Sequence, residues 1–142
     1  MGKRFGSKGK GGGMVQLTIV VDNSNHIADS LEEQASQVVT KTVYDLEAVV
    51  KNSISQPGRG RVYGGHVASA PGDPPATWIG DLLNGIKAEM VDPLHGYVES
   101  TAEHGPHLEY GTVNMAARPY MTPAVMQVEP PFHQALRSLF RV

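Results

Sequence analysis

Three side chains that could bind a metal ion lie close together in the last third of the chain. His104, His107 and Glu109 fall within six residues. Imidazole and carboxylate groups are zinc ligands, so the cluster admits a small metal-dependent hydrolase as one hypothesis. The spacing departs from the HEXXH motif, whose two histidines stand four apart on one helix with a glutamate between them, because Gly105-Pro106 separate these two. We predict no catalytic residue and no cofactor, and keep the three residues as secondary metal candidates.

Other common catalytic patterns are missing from the sequence. It holds no cysteine, which excludes disulfides, thiolate zinc sites and cysteine nucleophiles. Neither a G-x-S-x-G nucleophile motif nor a G-x-x-x-x-G-K-[ST] phosphate loop occurs. Aromatic residues make up 6%, which is sparse for base stacking, and no apolar run approaches the length of about 18 residues typical of a membrane span. The sequence therefore predicts a protein that is not an enzyme and does not enter a membrane.

Charge is distributed unevenly along the chain, which has 12 basic and 14 acidic residues. Four basic residues give the first thirteen positions a charge of +4 and leave −6 on the rest: Lys3, Arg4, Lys8 and Lys10. Glycine-rich segments lose much entropy on ordering, so we expect a flexible basic arm over residues 1–13 and a single domain over 14–142. An arm that orders on an acidic partner or on DNA is the alternative, and a nucleic-acid-binding module would rest on this arm alone.

In the first half of the domain, the sequence predicts one strand and one long helix. Apolar and polar residues alternate over 14–21, which indicates a strand. Over 27–54 apolar residues recur every three or four positions, which predicts a helix of about 40 Å with one apolar face. That length is large for so small a domain, so we expect part of the apolar stripe to pack on another subunit.

Over residues 57–77, prolines and glycines interrupt the spacing of apolar residues that would indicate a helix or a strand. A segment this long without regular structure is typically functional or disordered, and its few charges argue against pure disorder. We predict an extended loop that docks on a neighbouring subunit, with a short strand at 61–63 and Trp78 as a packing anchor at its end.

In the second half of the domain, the sequence predicts short helices and strands. One helical turn at 80–84 precedes strands at 86–90 and 94–101, which form a hairpin that the first strand extends. A short helix over 103–112 follows, then a helix over 120–128, and Pro130-Pro131 should break or kink it before a last helix over 132–140. The fold class is α+β: a small antiparallel or mixed sheet packed by one long N-terminal helix and C-terminal helices.

Three segments together resemble a phage protein family. Residues 60–76, GRVYGGHVASAPGDPPA, resemble G-R-x-Y … H-x-A-S-A-P-G-x-P-P-A, and residues 80–86, GDLLNGI, resemble T-G-x-L-x-x-S-I. Within 104–124, HLEYGT and ARPYMTPA resemble Y-A-x-Y-V-E-F-G-T and R-P-F-L-x-P-A. The family is the siphophage tail-component, or tail-completion, family typified by phage HK ninety-seven. Ile79, Gly85 and His104-Gly105 depart from its pattern, as does the Pro130-Pro131 pair.

The resemblance implies a structural virion protein. Such a protein forms an oligomeric ring, expected to be a hexamer, at the head–tail neck, where it joins the head connector to the tail tube and lets phage DNA pass without sequence-specific binding. Its partners would be head-closure or connector proteins and tail-terminator or tail-tube proteins. The protein would reside in the virion, and in the host cytoplasm during assembly. A tail-terminator ring at the same junction is the alternative.

The matched residues supply the interface candidates. The resemblance and the loop together nominate Arg61, Tyr63, His66, Pro71, Gly72, Pro74, Pro75, Trp78, Glu109, Gly111, Arg118 and Pro119. Gly111 is expected to close the short helix with a positive φ angle. Glu109 could accept backbone N–H groups or pair with Arg118, and both residues could equally serve the subunit itself.

Overall fold

The described residues of the computed structural model are 3–6, 15–19, 27–76 and 80–140, and they form an α+β fold. The elements are β1 (Lys3–Gly6), β2 (Val15–Ile19), α1 (Ile27–Ile54), β3 (Val62–Tyr63), β4 (His66–Val67), α2 (Asp81–Gly85), β5 (Ile86–Asp92), β6 (His95–Ser100), α3 (Gly105–Tyr110) and α4 (Met121–Leu139). None of these helices is both long and apolar enough to cross a membrane.

The larger sheet is antiparallel, with the strand order β1-β2-β6-β5. The predicted hairpin is confirmed as β5 and β6, which pair from Ile86↔Ser100 to Asp92↔His95. The first predicted strand extends this hairpin, because Val15 of β2 pairs with Val98 of β6.

The prediction of a flexible amino-terminal arm is corrected at residues 3–6. Lys3–Gly6 form the edge strand β1, in which Lys3 pairs with Ile19 and Arg4 with Thr18. Strand pairing satisfies the backbone groups of this segment and fixes its position on the domain. Lys8 and Lys10 lie outside the described residues.

Helix α1 begins and ends where its periodicity predicts. Its inner face is buried against the sheet and α4 from Ala35 to Ile54 by the chain's own elements. The chain itself therefore covers this part of the stripe, and the expectation that part of the stripe packs on another subunit stays a prediction for the residues before Ala35. The close approach of helix and sheet depends on Gly96 in β6, since a Cβ atom there would lie 2.6 Å from both Val43 Cγ2 and Met90 Sδ.

The predicted break at Pro130-Pro131 does not occur, and α4 runs as one helix from Met121 to Leu139. Both prolines are exposed, whereas Val128, Phe132 and Leu136 form one buried stripe that spans them. Packing of that stripe against α1 compensates for the backbone hydrogen bonds that the prolines cannot donate. Pro123 sits in the first turn, where its missing N–H costs no helical bond.

Of the predicted extended loop 57–77, the described residues 57–76 are folded rather than extended. β3 and β4 pair around Gly64 and Gly65, whose φ angles of 49° and 87° suit a two-residue type I′ turn. The Gly60 N–H donates to the Ala68 carbonyl at 2.7 Å. A second tether joins this segment to the α3–α4 connection, because the Gly72 N–H donates to the Ala117 carbonyl at 3.0 Å.

We predict that Gly96→Ala destabilises the domain. The added methyl group must displace Val43, a fully buried side chain, and overpacking of this kind costs about 1–3 kcal/mol. Chemical denaturation monitored by circular dichroism measures the change. Lys87→Ala, at an exposed position of β5, is the control and should alter the free energy of unfolding by no more than about 0.5 kcal/mol. Equal stability of the Gly96→Ala and wild-type proteins would contradict the close packing of α1 on β6.

Candidate functional site

A buried carboxylate joins the two helices of the third motif segment. Glu109 of α3 is 5% exposed, and its Oε2 accepts hydrogen bonds from the backbone N–H groups of Tyr120 and Met121, each at 2.9 Å. Its Oε1 accepts from the Thr122 N–H at 2.9 Å and from the Thr122 hydroxyl at 2.6 Å. Glu109 therefore caps the amino terminus of α4, where the helix dipole favours a negative charge.

The local sequence explains how α3 delivers Glu109 to this point. Pro106 lies in the first turn of α3, and the helix ends at Gly111, which has the predicted positive φ angle of 75°. A Cβ atom at Gly111 would lie 2.8 Å from both the Ala117 nitrogen and the Met115 oxygen, so only glycine allows the returning chain this close. The Arg118 N–H then donates to the Leu108 carbonyl at 2.6 Å, which brings the start of α4 beside Glu109.

Of the two alternatives for Glu109, acceptance of backbone N–H groups is the one observed. No ion pair involves Arg118 in the described part of the chain. Gly111 and Glu109 both serve contacts inside the subunit, and Pro75 is buried within it. These contacts give the three residues a role within the subunit, and their nomination as interface residues stays a prediction.

The histidines proposed as metal ligands are not assembled with Glu109. His104 and His107 are exposed, whereas both carboxylate oxygens of Glu109 are engaged by the start of α4. Within the described ranges, no group of three or more ligand-type side chains could hold a metal ion. The arrangement supplies no centre for the hydrolase hypothesis at these three residues.

A cavity of about 440 Å³ lies beside this connection, between the β3–β4 hairpin and the helices α2 and α3. Its lining comes from three separate parts of the chain. The residues are Tyr63, His66, Ala68, Ser69, Pro75 and Ala76, then Gly80, Asp81 and Leu82, then His104, Leu108 and Arg118. Every one of them belongs to one of the three motif segments, 60–76, 80–86 and 104–124. The fold thus joins three motifs that are distant in sequence into one site.

The remaining interface candidates differ in exposure. The hairpin presents Val62, Tyr63 and Val67 to solvent with 64%, 51% and 36% of their surfaces exposed, and the Arg61 guanidinium lies 5.6 Å from the centre of the Tyr63 ring. Arg61, Pro71 and Gly72 are exposed, whereas His66, Pro74, Arg118 and Pro119 are half-buried. Trp78 lies outside the described residues.

Two buried hydroxyls near Glu109 were not predicted as site residues. Tyr120 and Ser100 converge on Gly105, where a Cβ atom would lie 2.7 Å from Tyr120 Oη and 2.8 Å from Ser100 Oγ. Neither hydroxyl has a hydrogen-bond partner of good geometry among the described residues. Burial raises the pKa of Tyr120; the nearby Ser100 hydroxyl lowers it, while the charge of Glu109 raises it. Tyr120 was visible in the sequence only as part of the ARPY motif.

Comparison with known proteins adds no assignment. No family model matches the sequence, and no match is found among the curated proteins or the solved structures.

We predict that Glu109→Gln destabilises the domain by about 2–3 kcal/mol, because an amide cannot accept all four hydrogen bonds and places its own donors against backbone N–H groups. In a chain of this size the melting temperature should fall by about 6–12 °C. Differential scanning calorimetry provides the measurement.

The matched control is Glu103→Gln, which makes the same chemical change at an exposed position. It should move the free energy of unfolding by no more than about 0.5 kcal/mol. Similar losses in the two variants would show that general charge, rather than the cap on α4, accounts for the effect.

Proposed function

We propose that the protein is a structural component of a tailed-phage virion. It forms a ring at the head–tail junction, joins the head connector to the tail tube and leaves a passage for DNA. The observation that carries the proposal is the convergence of all three motif segments on one cavity. Motifs that were merely chance similarities would not be expected to supply all of the described residues that line a single site.

The exposed hairpin supports assembly into a ring. Val62, Tyr63 and Val67 place apolar surface on a small two-stranded sheet that is separate from the larger one. A closed ring is built from heterologous contacts, in which one surface of a subunit meets a different surface of the next. The β3–β4 hairpin supplies one such surface, since it exposes apolar side-chain area.

The charge of the domain fits a DNA passage. Residues 14–142 carry 8 basic and 14 acidic residues, a formal charge of −6. A negatively charged surface lowers affinity for phosphates, so DNA could move past such a ring without being held.

We predict that Val62→Glu prevents ring assembly without unfolding the subunit. A charge on the exposed hairpin opposes burial in a subunit interface, while an exposed position contributes little to stability. The full chain is studied alone and together with the connector and tail-tube proteins of the same genome, by electron microscopy and light scattering. Val91→Glu introduces the same charge at an exposed apolar residue of β5 and should leave the ring intact.

A nonsense mutation in the gene tests the place of the ring in the particle. We expect separate filled heads and tails of normal length, because the junction would lack one of its components. Tails of uncontrolled length would instead assign the protein to the terminator role, since a terminator stops tube growth. Complete infectious virions formed without the protein would refute both assignments.

A further inference from the structure

The outer face of α4 lacks the charged residues found on the outer face of α1. Exposed charged residues of α1 include Asp29, Glu32, Glu33, Lys41 and Asp45. The exposed positions of α4 from 122 to 134 are uncharged, and they are Thr122, Pro123, Met126, Gln127, Pro130, Pro131 and Gln134. Helix surfaces that face solvent usually carry charged and polar groups, so this face of α4 has the character of an interaction surface.

Four of these positions form one stripe along α4. Pro123, Met126, Pro130 and Gln134 recur every three or four residues, which places them on the same side of the helix, and we call them the outer stripe. Met126 is 68% exposed. Glu129 lies at the margin of the stripe and keeps 42% of its side chain exposed, although its Oε1 is 3.4 Å from His133 Nε2. The outer stripe is therefore largely apolar and has a carboxylate beside it.

The β3–β4 hairpin carries groups that complement the outer stripe. Val62 and Tyr63 are each more than half exposed. Arg61 is exposed as well, and its guanidinium lies beside the Tyr63 ring. A guanidinium has only hydrogen-bond donors and pairs strongly with a carboxylate. The hairpin thus presents a cation next to apolar surface, where α4 presents an anion next to apolar surface.

We infer that the β3–β4 hairpin of one copy docks on the outer stripe of α4 in a second copy. Val62 and Tyr63 cover Met126 and the prolines of the stripe, and Arg61 pairs with Glu129. Both surfaces are exposed in the same subunit, so they do not cover each other and the contact needs two copies. The two surfaces differ, which makes the contact heterologous and able to close a ring. The inference rests on the proposed ring and names its subunit contact.

Two other places for the hairpin are disfavoured by charge. Docking on the outer face of α1 would bury the charges of that face against Val62 and Tyr63, which costs free energy. Pairing of two hairpins with each other would bring two Arg61 side chains together, and like charges repel. The outer stripe of α4 avoids both costs.

Cysteine cross-linking tests the contact, and the chain suits this method because it has no cysteine of its own. Full-length Val62→Cys and Met126→Cys proteins are mixed in equal amounts with the connector and tail-tube proteins of the same genome and oxidised mildly. A disulfide requires the two Cα atoms to approach within about 7 Å, so we expect a reducible dimer in the mixture and none from either variant alone. Val62→Cys mixed with Val91→Cys, an exposed residue of β5, should give none.

Substitution at the stripe tests the same contact without an oxidant. Met126→Glu should raise the dissociation constant for self-association at least about tenfold, because it places a charge in an apolar contact. Val113→Glu makes the same kind of change at a fully exposed residue outside the stripe and should leave the constant unchanged. Sedimentation velocity of the full chain provides the measurement.

Exchange of charges isolates the pairing of Arg61 with Glu129. Arg61→Glu and Glu129→Arg should each weaken self-association by about fivefold or more, because each variant brings like charges together. The double variant should recover most of the loss. Such recovery does not arise from a folding defect in either single variant.

The outcomes separate this contact from the proposed function. A ring that forms without the 62–126 cross-link and is unaffected by Met126→Glu would overturn the contact and leave the ring in place. A chain that stays monomeric, alone and with the connector and tail-tube proteins, would overturn both. A cross-linked oligomer that is absent from the virion would support the contact and refute the virion role.

Discussion

The cap that Glu109 places on α4 is the interaction on which the arrangement of the second half of the chain depends. A carboxylate that is 5% exposed would be strongly destabilising without partners, and here four donors from Tyr120, Met121 and Thr122 surround it. The cap fixes the angle at which the chain enters α4, whose buried stripe then packs on α1. Because α1 also covers the sheet, one electrostatic contact connects the short helix α3 to the whole core.

The connection between α3 and α4 also brings the candidate site residues close together. Gly111 permits the tight return from α3, and the chain then passes Ala117, which accepts a hydrogen bond from Gly72 of the hairpin segment. Arg118 follows and reaches the cavity wall. A backbone hydrogen bond therefore joins segments 60–76 and 104–124, and the shared cavity lining adds segment 80–86 to them.

Local patterns predicted most of the elements but not their tertiary context. The bounds of α1, the β5–β6 hairpin and the positive φ angle of Gly111 are all confirmed, because periodicity and glycine chemistry act over a few residues. One error arose where packing decides, because a break was predicted at Pro130-Pro131 and α4 is continuous there. Periodicity also could not show which elements of the chain cover α1 from Ala35 to Ile54. The Gly64-Gly65 pair between short apolar segments was an available hairpin signal. Nothing local could show that residues 60–76, 80–86 and 104–124 meet at one cavity.

The proline pair also has a consequence for the outer side of α4. In a helix each N–H donates to the carbonyl four residues earlier, so Pro130 and Pro131 leave the carbonyls of Met126 and Gln127 without helical donors. Both of those residues are exposed, and water can hydrate the two carbonyl oxygens. Around Pro130 and Pro131, packing of the buried side chains stabilises the helix in place of the missing backbone hydrogen bonds. The solvent side of this turn is therefore where α4 bends most easily.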